Sequence, residues 1–320
     1  MNVISASRRT DIPAFYSDWF MNRIRAGYVC WRNSYSDMTY TVSLRPADVG
    51  AIVFRSKNYL PLLPCLDELD SRGYRMLFHF TITGLPRVFE PRVPDLPRLL
   101  ECARVLSDRY GPEKVLWRCD PILISSVTSA EYYLTRFEEL AAGLEGLTKR
   151  CYFCFPIYYE SVLRNTGRLR RETGIECYDP PRDEHLQLAT ALAEIAAEHG
   201  IEMLSCCGDY LVGGRIKKAH CIDAELLHRL YPDKIGFLAA HPVREECGCA
   251  ECVDIGAYDT CLHGCVYCYA NTSREAALRS CKRHDPEGDI LVDDDRMPSR
   301  HVCAHPGDTD GKPSALELPF

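Results

Sequence analysis

The chain has 320 residues, 46% hydrophobic and 26% charged, with 38 basic against 45 acidic side chains and a net charge of −7. That length buries a sizeable core, and the acidic balance speaks against a protein that coats nucleic acid, leaving only a local basic groove for a nucleic-acid substrate. No run of about 18 apolar residues offers a membrane span, and the opening stretch MNVISASRRTDIP lacks the apolar core of a secretory signal, so the expectation is a cytoplasmic protein with no membrane partner.

Short β-rich runs alternate with longer segments of helical period. Residues 3–6 read as a first strand, and 15–26 as a helix with Phe15, Trp19, Phe20 and Ile24 on one face. Strands at 51–55, 75–81, 115–118, 151–155 and 202–206 follow, separated by helices at 62–72, 96–110, 130–144 and 184–199, the last opened by Asp183 as N-cap; 40–44 reads as an extra strand in the first crossover. Six strands in this alternation predict an α/β fold with parallel βαβ units: a partial (β/α)6 barrel or a full TIM-like barrel over residues 1–206. No glycine-rich nucleotide fingerprint follows the first strand, which weakens an open dinucleotide-binding sheet. Residues 207–283 lack long periodic segments and are rich in cysteine, predicting a C-terminal cluster-binding module over the barrel mouth. Residues 284–320, with Asp293, Asp294, Asp295 and several prolines, are expected to be a disordered tail.

Barrel chemistry sits where strands run out. The predicted strand ends carry Ser7, Arg8, Arg9, Thr10 and Asp11, then Arg55, Ser56, Lys57 and Asn58, then Arg118 and Asp120, then Ser205 to Asp209. Converging on one rim, Arg8, Arg9, Lys57 and Arg118 would bind a carboxylate, phosphate or cofactor anion, with Asp120 orienting an arginine or accepting a ribose hydroxyl.

Eighteen cysteines in 320 residues fall short of the roughly 8–10% of a disulfide scaffold, so clustered cysteines point to metal or redox chemistry. The densest stretch is Cys261-Leu-His-Gly-Cys265-Val-Tyr-Cys268-Tyr-Ala, a C-x3-C-x2-C triplet. Three such thiolates each take one iron of a [4Fe-4S] cubane and leave the fourth iron open unless another cysteine reaches it. A structural zinc site is the alternative, but zinc favours paired C-x2-C units. Upstream, Cys207, Cys221, Cys247 and Cys249 could close a second site, an iron–sulfur cluster or zinc, with Cys206 and Cys252 as substitutes; otherwise one of them completes the first cluster. Cys151 and Cys154 sit in a strand, where positions three apart face opposite ways. The remaining cysteines read as buried small hydrophobes. His263 reads as a loop residue, and His220 and His241 flank the second group as further candidate ligands.

The triplet resembles the radical S-adenosylmethionine (SAM) signature, in the CxxxCxYCYA form of spore-photoproduct-lyase-type enzymes. That resemblance implies SAM on the open iron, Tyr267 near the adenine, an electron donor as partner, and a 5′-deoxyadenosyl radical acting on a substrate. The motif departs from that pattern by following the sixth unit instead of the first strand. Over nearly its whole length the chain also resembles a bacterial family, domain of unknown function 1848, through ISASRRTDIP at 4–13, Val42-Ser-Leu44, Ile52-Val-Phe54, Trp117-Arg118 with Asp120-Pro121, Cys221-Ile-Asp223 and the cysteine block. Three functions follow from these readings: a radical-SAM-like enzyme, an iron–sulfur electron-transfer or redox protein without SAM, and a metal-stabilised binding module.

Overall fold

The computed structural model describes residues 1–32, 38–293 and the backbone of 300–302. Its strands are β1 (Asn2–Ala6), β2 (Tyr28–Arg32), β3 (Met38–Ser43), β4 (Val49–Ser56), β5 (Met76–Thr81), β6 (Val115–Cys119), β7 (Arg150–Phe153), β8 (Glu202–Ser205), β9 (Ile216–Lys218), β10 (Val253–Asp254) and β11 (Arg300–Val302). Its helices are α1 (Ile12–Phe15), α2 (Ser17–Ala26), α3 (Leu66–Ser71), α4 (Leu96–Tyr110), α5 (Ala130–Leu144), α6 (Glu160–Thr173), α7 (Arg182–Glu198), α8 (Ala224–Leu230) and α9 (Arg274–Arg283).

Eight strands form one sheet in the order β10-β1-β4-β5-β6-β7-β8-β9, and every pairing in it is parallel. The α/β class and all six predicted strands are therefore present, but the sheet is wider than six. The two added strands, β9 and β10, come from the segment expected to be a separate cysteine-rich module. Among the described residues β9 and β10 do not pair with each other, so the sheet is not a closed TIM barrel.

Residue parity explains the layering. Ile4, Ile52, Phe54, Phe78, Phe80, Trp117, Cys151 and Phe153 point to one face, where they pack with Trp19, Phe20, Leu99, Phe137 and Leu188 of the helices. The alternate residues Val3, Ala51, Val53, Leu77, Leu116, Tyr152 and Leu204 form a second buried cluster. Among the described residues, none of the helices between the six predicted strands packs into that cluster. Ile222, Leu226, Leu227, Tyr231 and Ile235 of the cysteine-rich segment do, with α8 opened by Asp223, whose carboxylate accepts from the Leu226 amide at 2.9 Å.

Several boundaries differ from expectation. The first predicted helix breaks at Tyr16 into α1 and α2, and the second begins as a 3-10 turn at Leu63–Cys65. Pro181, not Asp183, is the N-cap residue of α7. The helix α6 was not expected, because its sparse apolar positions (Val162, Thr166 and Leu169 are the buried ones) sit among many charges. The extra strand β3 pairs antiparallel with β2, and β11 joins it in a separate three-stranded sheet. Residues 284–293, expected to be disordered, pack against α2 and β2: Trp19 Nε1 donates to the Gly288 carbonyl at 2.9 Å, Arg23 Nη1 meets Asp289 at 2.5 Å, and Leu291 is buried. Asp294, Asp295 and Cys303 lie outside the described residues.

Candidate metal centre

The strand β10 is only two residues long, yet it fixes the position of the cysteine triplet. It pairs with β1 through Ile4↔Val253 and Ser5↔Asp254. Asp254 then ties both chains together. Its Oδ2 accepts from Ser5 Oγ (2.8 Å) and the Arg8 amide (2.7 Å), and its Oδ1 from Ser7 Oγ (2.6 Å) and the Gly256 amide (3.1 Å). Burial alone would raise this carboxyl, but the charges of Arg9 and Arg8 and the Ser7 hydrogen bond outweigh it and pull the pKa down to about 2. Gly256 packs against Ser7 so closely that a Cβ there would collide with the serine side chain. The triplet, which follows the sixth unit in sequence, thus lies in space beside the loop after the first strand.

The loop carrying the thiols is pinned along its length. Asp11 accepts from His263 Nε2 at 2.7 Å while also accepting from Ser56 Oγ (2.6 Å), the Lys57 amide (2.8 Å) and, as N-cap of α1, the Ala14 amide (3.0 Å). His263 is therefore a buried structural link, with its Nδ1 lacking a partner among the described residues. Tyr16 donates to the Thr260 carbonyl (2.6 Å), the Val266 amide to Phe89 (3.0 Å), and Asn271 Nδ2 to the Cys261 carbonyl (2.6 Å). Gly264 takes the left-handed φ of 73° that the turn between the first two cysteines requires. The thiols of Cys261, Cys265 and Cys268 are all pushed up by burial, and repulsion from the neighbouring thiols of the triplet adds to the effect at Cys261 and Cys265. Bringing a positive metal to the group would reverse that preference and favour thiolates.

Behind the triplet lies a buried ion pair. Lys57 Nζ donates to Glu90 Oε1 at 2.7 Å, Thr83 Oγ1 donates to Glu90 Oε2 at 2.8 Å, and the Tyr267 hydroxyl also donates to Glu90. The Lys57 ammonium sits 5.4 Å from the Tyr267 ring centre.

The upstream cysteines form a second group. Cys206 Sγ and Cys221 Sγ are 3.4 Å apart. Cys206 also contacts Cys207, which contacts Cys247, which contacts Cys249, which returns to Cys221. Cys207 adopts a left-handed φ of 55°, and Cys206 and Cys207, adjacent in sequence, both reach the ring. Arginines donate to its sulfurs: Arg118 Nη1 to Cys221 (3.2 Å), Arg244 Nε to Cys207 (2.9 Å) and Arg244 Nη2 to Cys206 (3.7 Å). The Cys221 carbonyl contacts His79 Nε2 at 2.9 Å and accepts from Arg55 Nη2 at 3.2 Å. Hydrogen bonds from Cys206 and Cys249 pull the Cys221 thiol down, and those from Cys207 and Cys249 do the same to Cys247.

Both groups open on one cavity of about 800 Å³, at the C-terminal ends of β1, β4, β6 and β7. Among the described residues, no three His, Cys, Asp or Glu side chains are arranged to hold a single metal ion. A cubane distributes its thiolates over different irons, so its ligands need not converge on one point. The triplet lines this cavity from one pinned loop, and its donor set of three thiols is the type such a group takes.

The family described as "Domain of unknown function (DUF1848)" matches residues 3–270. The chain belongs to this family. No curated protein matches it. Among solved structures, "Crystal structure of D-hydantoinase" is 10% identical, covers 72% of this chain and has a TM-score of 0.29. "Structure of the carboxyl transferase domain from Rhizobium etli pyruvate carboxylase" is 12% identical, covers 74% and has a TM-score of 0.26. The chain spans 44% of the length of each of those two structures.

In this DUF1848 chain every predicted site residue, from Arg8, Arg9, Lys57, Arg118 and Asp120 to Tyr267 and the seven cysteines, lines the one cavity. Their engagements differ. Arg8 Nε reaches Asp254 at 3.5 Å and its Nη2 reaches Cys252 Sγ at 3.8 Å, Lys57 is paired with Glu90, and Arg118 is paired with Asp120 as well as Cys221. Cys151 is in the helix-side core, whereas Cys154 faces the cavity and donates to Asp120 Oδ1 at 2.7 Å, so the two do not share a site. His241 lines the cavity, and His220 Nδ1 contacts the Gly248 carbonyl. Arg55, Glu90, His79 and Arg244 were not singled out as site residues. Arg55 and His79 carried a signal, since each continues the inward parity of its strand; Glu90 and Arg244 had none.

Proposed function

We propose that this protein is an iron–sulfur protein that holds a [4Fe-4S] cluster on Cys261, Cys265 and Cys268 and works as a radical-SAM-like enzyme. The observation that supports the reading is that Cys206, Cys207, Cys221, Cys247 and Cys249 contact one another, so that none of these five is drawn toward the triplet as a fourth ligand. When bound, the cluster supplies a low-potential electron for reductive cleavage of SAM, and an external electron donor recharges it. The chain's residues would orient the reactants: Tyr267, held by Glu90 and Lys57, walls the cavity that the triplet lines, and Asp11 through His263 holds the loop. The parallel sheet acts as an open barrel, with the cysteine-rich segment closing its inner face. Cys207, Cys221, Cys247 and Cys249 would hold a second metal group, a relay cluster, or a zinc if their side chains close further, since as placed no three of them surround a single ion. Free thiols in both groups suit a cytoplasmic setting. The net charge gives no support to a nucleic-acid substrate.

The test is anaerobic iron, sulfide and zinc analysis with EPR of the reduced protein, with and without SAM. Roughly four irons per cubane and a signal that changes with SAM are expected. An intact cluster whose spectrum ignores SAM would favour the electron-transfer reading.

A further inference from the structure

The cations on the cavity wall sort by what already engages them. Arg8 is bonded to Asp254, Lys57 to Glu90, Arg118 to Asp120 and Cys221, and Arg244 to Cys207. Arg55, also on the cavity wall, donates to the Cys221 carbonyl through Nη2, and its Nε and Nη1 make no hydrogen bond among the described residues but are fully buried, so they do not offer themselves to a ligand as an accessible fork would.

Arg9 differs. Its amide donates to Ser7 Oγ at 2.9 Å, but its guanidinium makes no hydrogen bond and no ion pair among the described residues. It lies over two aromatic rings, 5.7 Å from the centre of Trp31 and 5.4 Å from that of Tyr258. Asp254 feels its charge, yet that carboxylate is already filled by Ser5, Ser7, Arg8 and Gly256. The ring faces fix the plane of the guanidinium without consuming its N–H donors.

The small three-stranded sheet accounts for the placement. Trp31 of β2 and Tyr40 of β3 are cross-strand partners, stacked at 5.0 Å and 20°, and both line the cavity beside Arg9. Residues 284–293 brace the sheet from behind, the Cys30 amide donating to the Asp289 carbonyl at 2.8 Å. A half-buried cation held in a rigid fork, with its donors unspent, is built to take an oxyanion bidentately.

We propose that Arg9 anchors the carboxylate or phosphate of the substrate, so that the molecule acted on in this cavity is a small organic oxyanion. The assignment rests on the reading of the cavity as a reaction chamber. It makes Trp31, Tyr40 and Tyr258 the walls that select what is attached to the anion.

The test is calorimetric titration of inorganic phosphate and of succinate into the anaerobically reconstituted protein, for the wild type, Arg9→Met and Arg9→Lys. Methionine keeps an apolar stem between the rings, and lysine keeps the charge without the fork. At least one probe binds the wild type. Its affinity falls about ten- to a hundredfold in Arg9→Met and recovers in part in Arg9→Lys, as expected for losing charge-assisted hydrogen bonds. Iron content and the EPR response to SAM stay unchanged. Equal binding by Arg9→Met, or binding of neither probe to the wild type at millimolar concentration, overturns the proposal. So does an Arg9→Met protein that loses its iron, or one that keeps probe binding but loses the SAM response, since the oxyanion would then be SAM's own carboxylate. Arg9-dependent probe binding in a protein that takes up no cluster would leave the anion site standing and defeat the iron–sulfur reading instead.

Discussion

Glu90 is a buried carboxylate surrounded by donors. Burial alone would raise its pKa, but the charge of Lys57 and hydrogen bonds from Lys57, Tyr267 and Thr83 hold it below the ordinary glutamate range. Lys57 is raised in turn, because attraction to Glu90 outweighs its own burial. Removing one partner leaves the other as an uncompensated charge in a dry site, a loss of about 3–5 kcal/mol for buried pairs. Glu90→Gln should therefore lower unfolding free energy by that order in a denaturant titration, and Lys57→Met added to it should restore a large part. A Glu90→Gln protein as stable as the wild type would mean that Lys57 reaches water. Lys57 and Tyr267 were legible as site residues because a strand end and a cysteine motif flag them locally. Glu90 lies in a loop of mixed composition, and its role exists only because Thr83, Lys57 and Tyr267 meet there.

The same limit acts on whole elements. Long strands of β-branched and aromatic residues, such as β4 and β5, stand out in the sequence, and so do the helices α4, α5 and α7. Strands β9 and β10, at three and two residues, carry no periodicity, and they exist because a neighbouring edge offers hydrogen bonds. That is why six strands in a partial (β/α)6 or TIM-like barrel were the expectation, and an open sheet of eight strands is the outcome. The pairing of β10 with β1 depends on Asp254, whose folded-state pKa is depressed from 3.8 to about 2. A depressed carboxyl stabilises the fold above its unfolded pKa and loses that contribution as pH falls through the folded value. Stability should thus drop by about 2 kcal/mol between roughly pH 4 and pH 2 on account of this group. Asp254→Asn should be less stable than the wild type near neutrality and should show a flatter acid limb in urea unfolding. An unchanged acid limb would place the acid sensitivity elsewhere.

At the scale of the molecule, two thiol groups share one cavity but hang from different parts of the fold. The triplet is fixed by the β1 loop, by α1 through Asp11, and by Phe89. The upstream ring is fixed by Arg118 and His79 at the ends of β6 and β5 and by Arg244 of its own segment. Groups without shared anchors respond independently to substitution. On the proposed iron–sulfur reading, Cys265→Ala should then remove about one cubane's worth of iron, roughly four atoms, and abolish the SAM response, while any metal bound by the upstream ring stays. Cys221→Ala should do the reverse, with the SAM-responsive EPR signal retained. The readout is metal content per chain beside EPR of each variant. If either substitution empties both groups, an upstream cysteine completes the triplet's cluster; the fourth iron is then closed, and the cavity is a site for electron transfer instead of SAM cleavage.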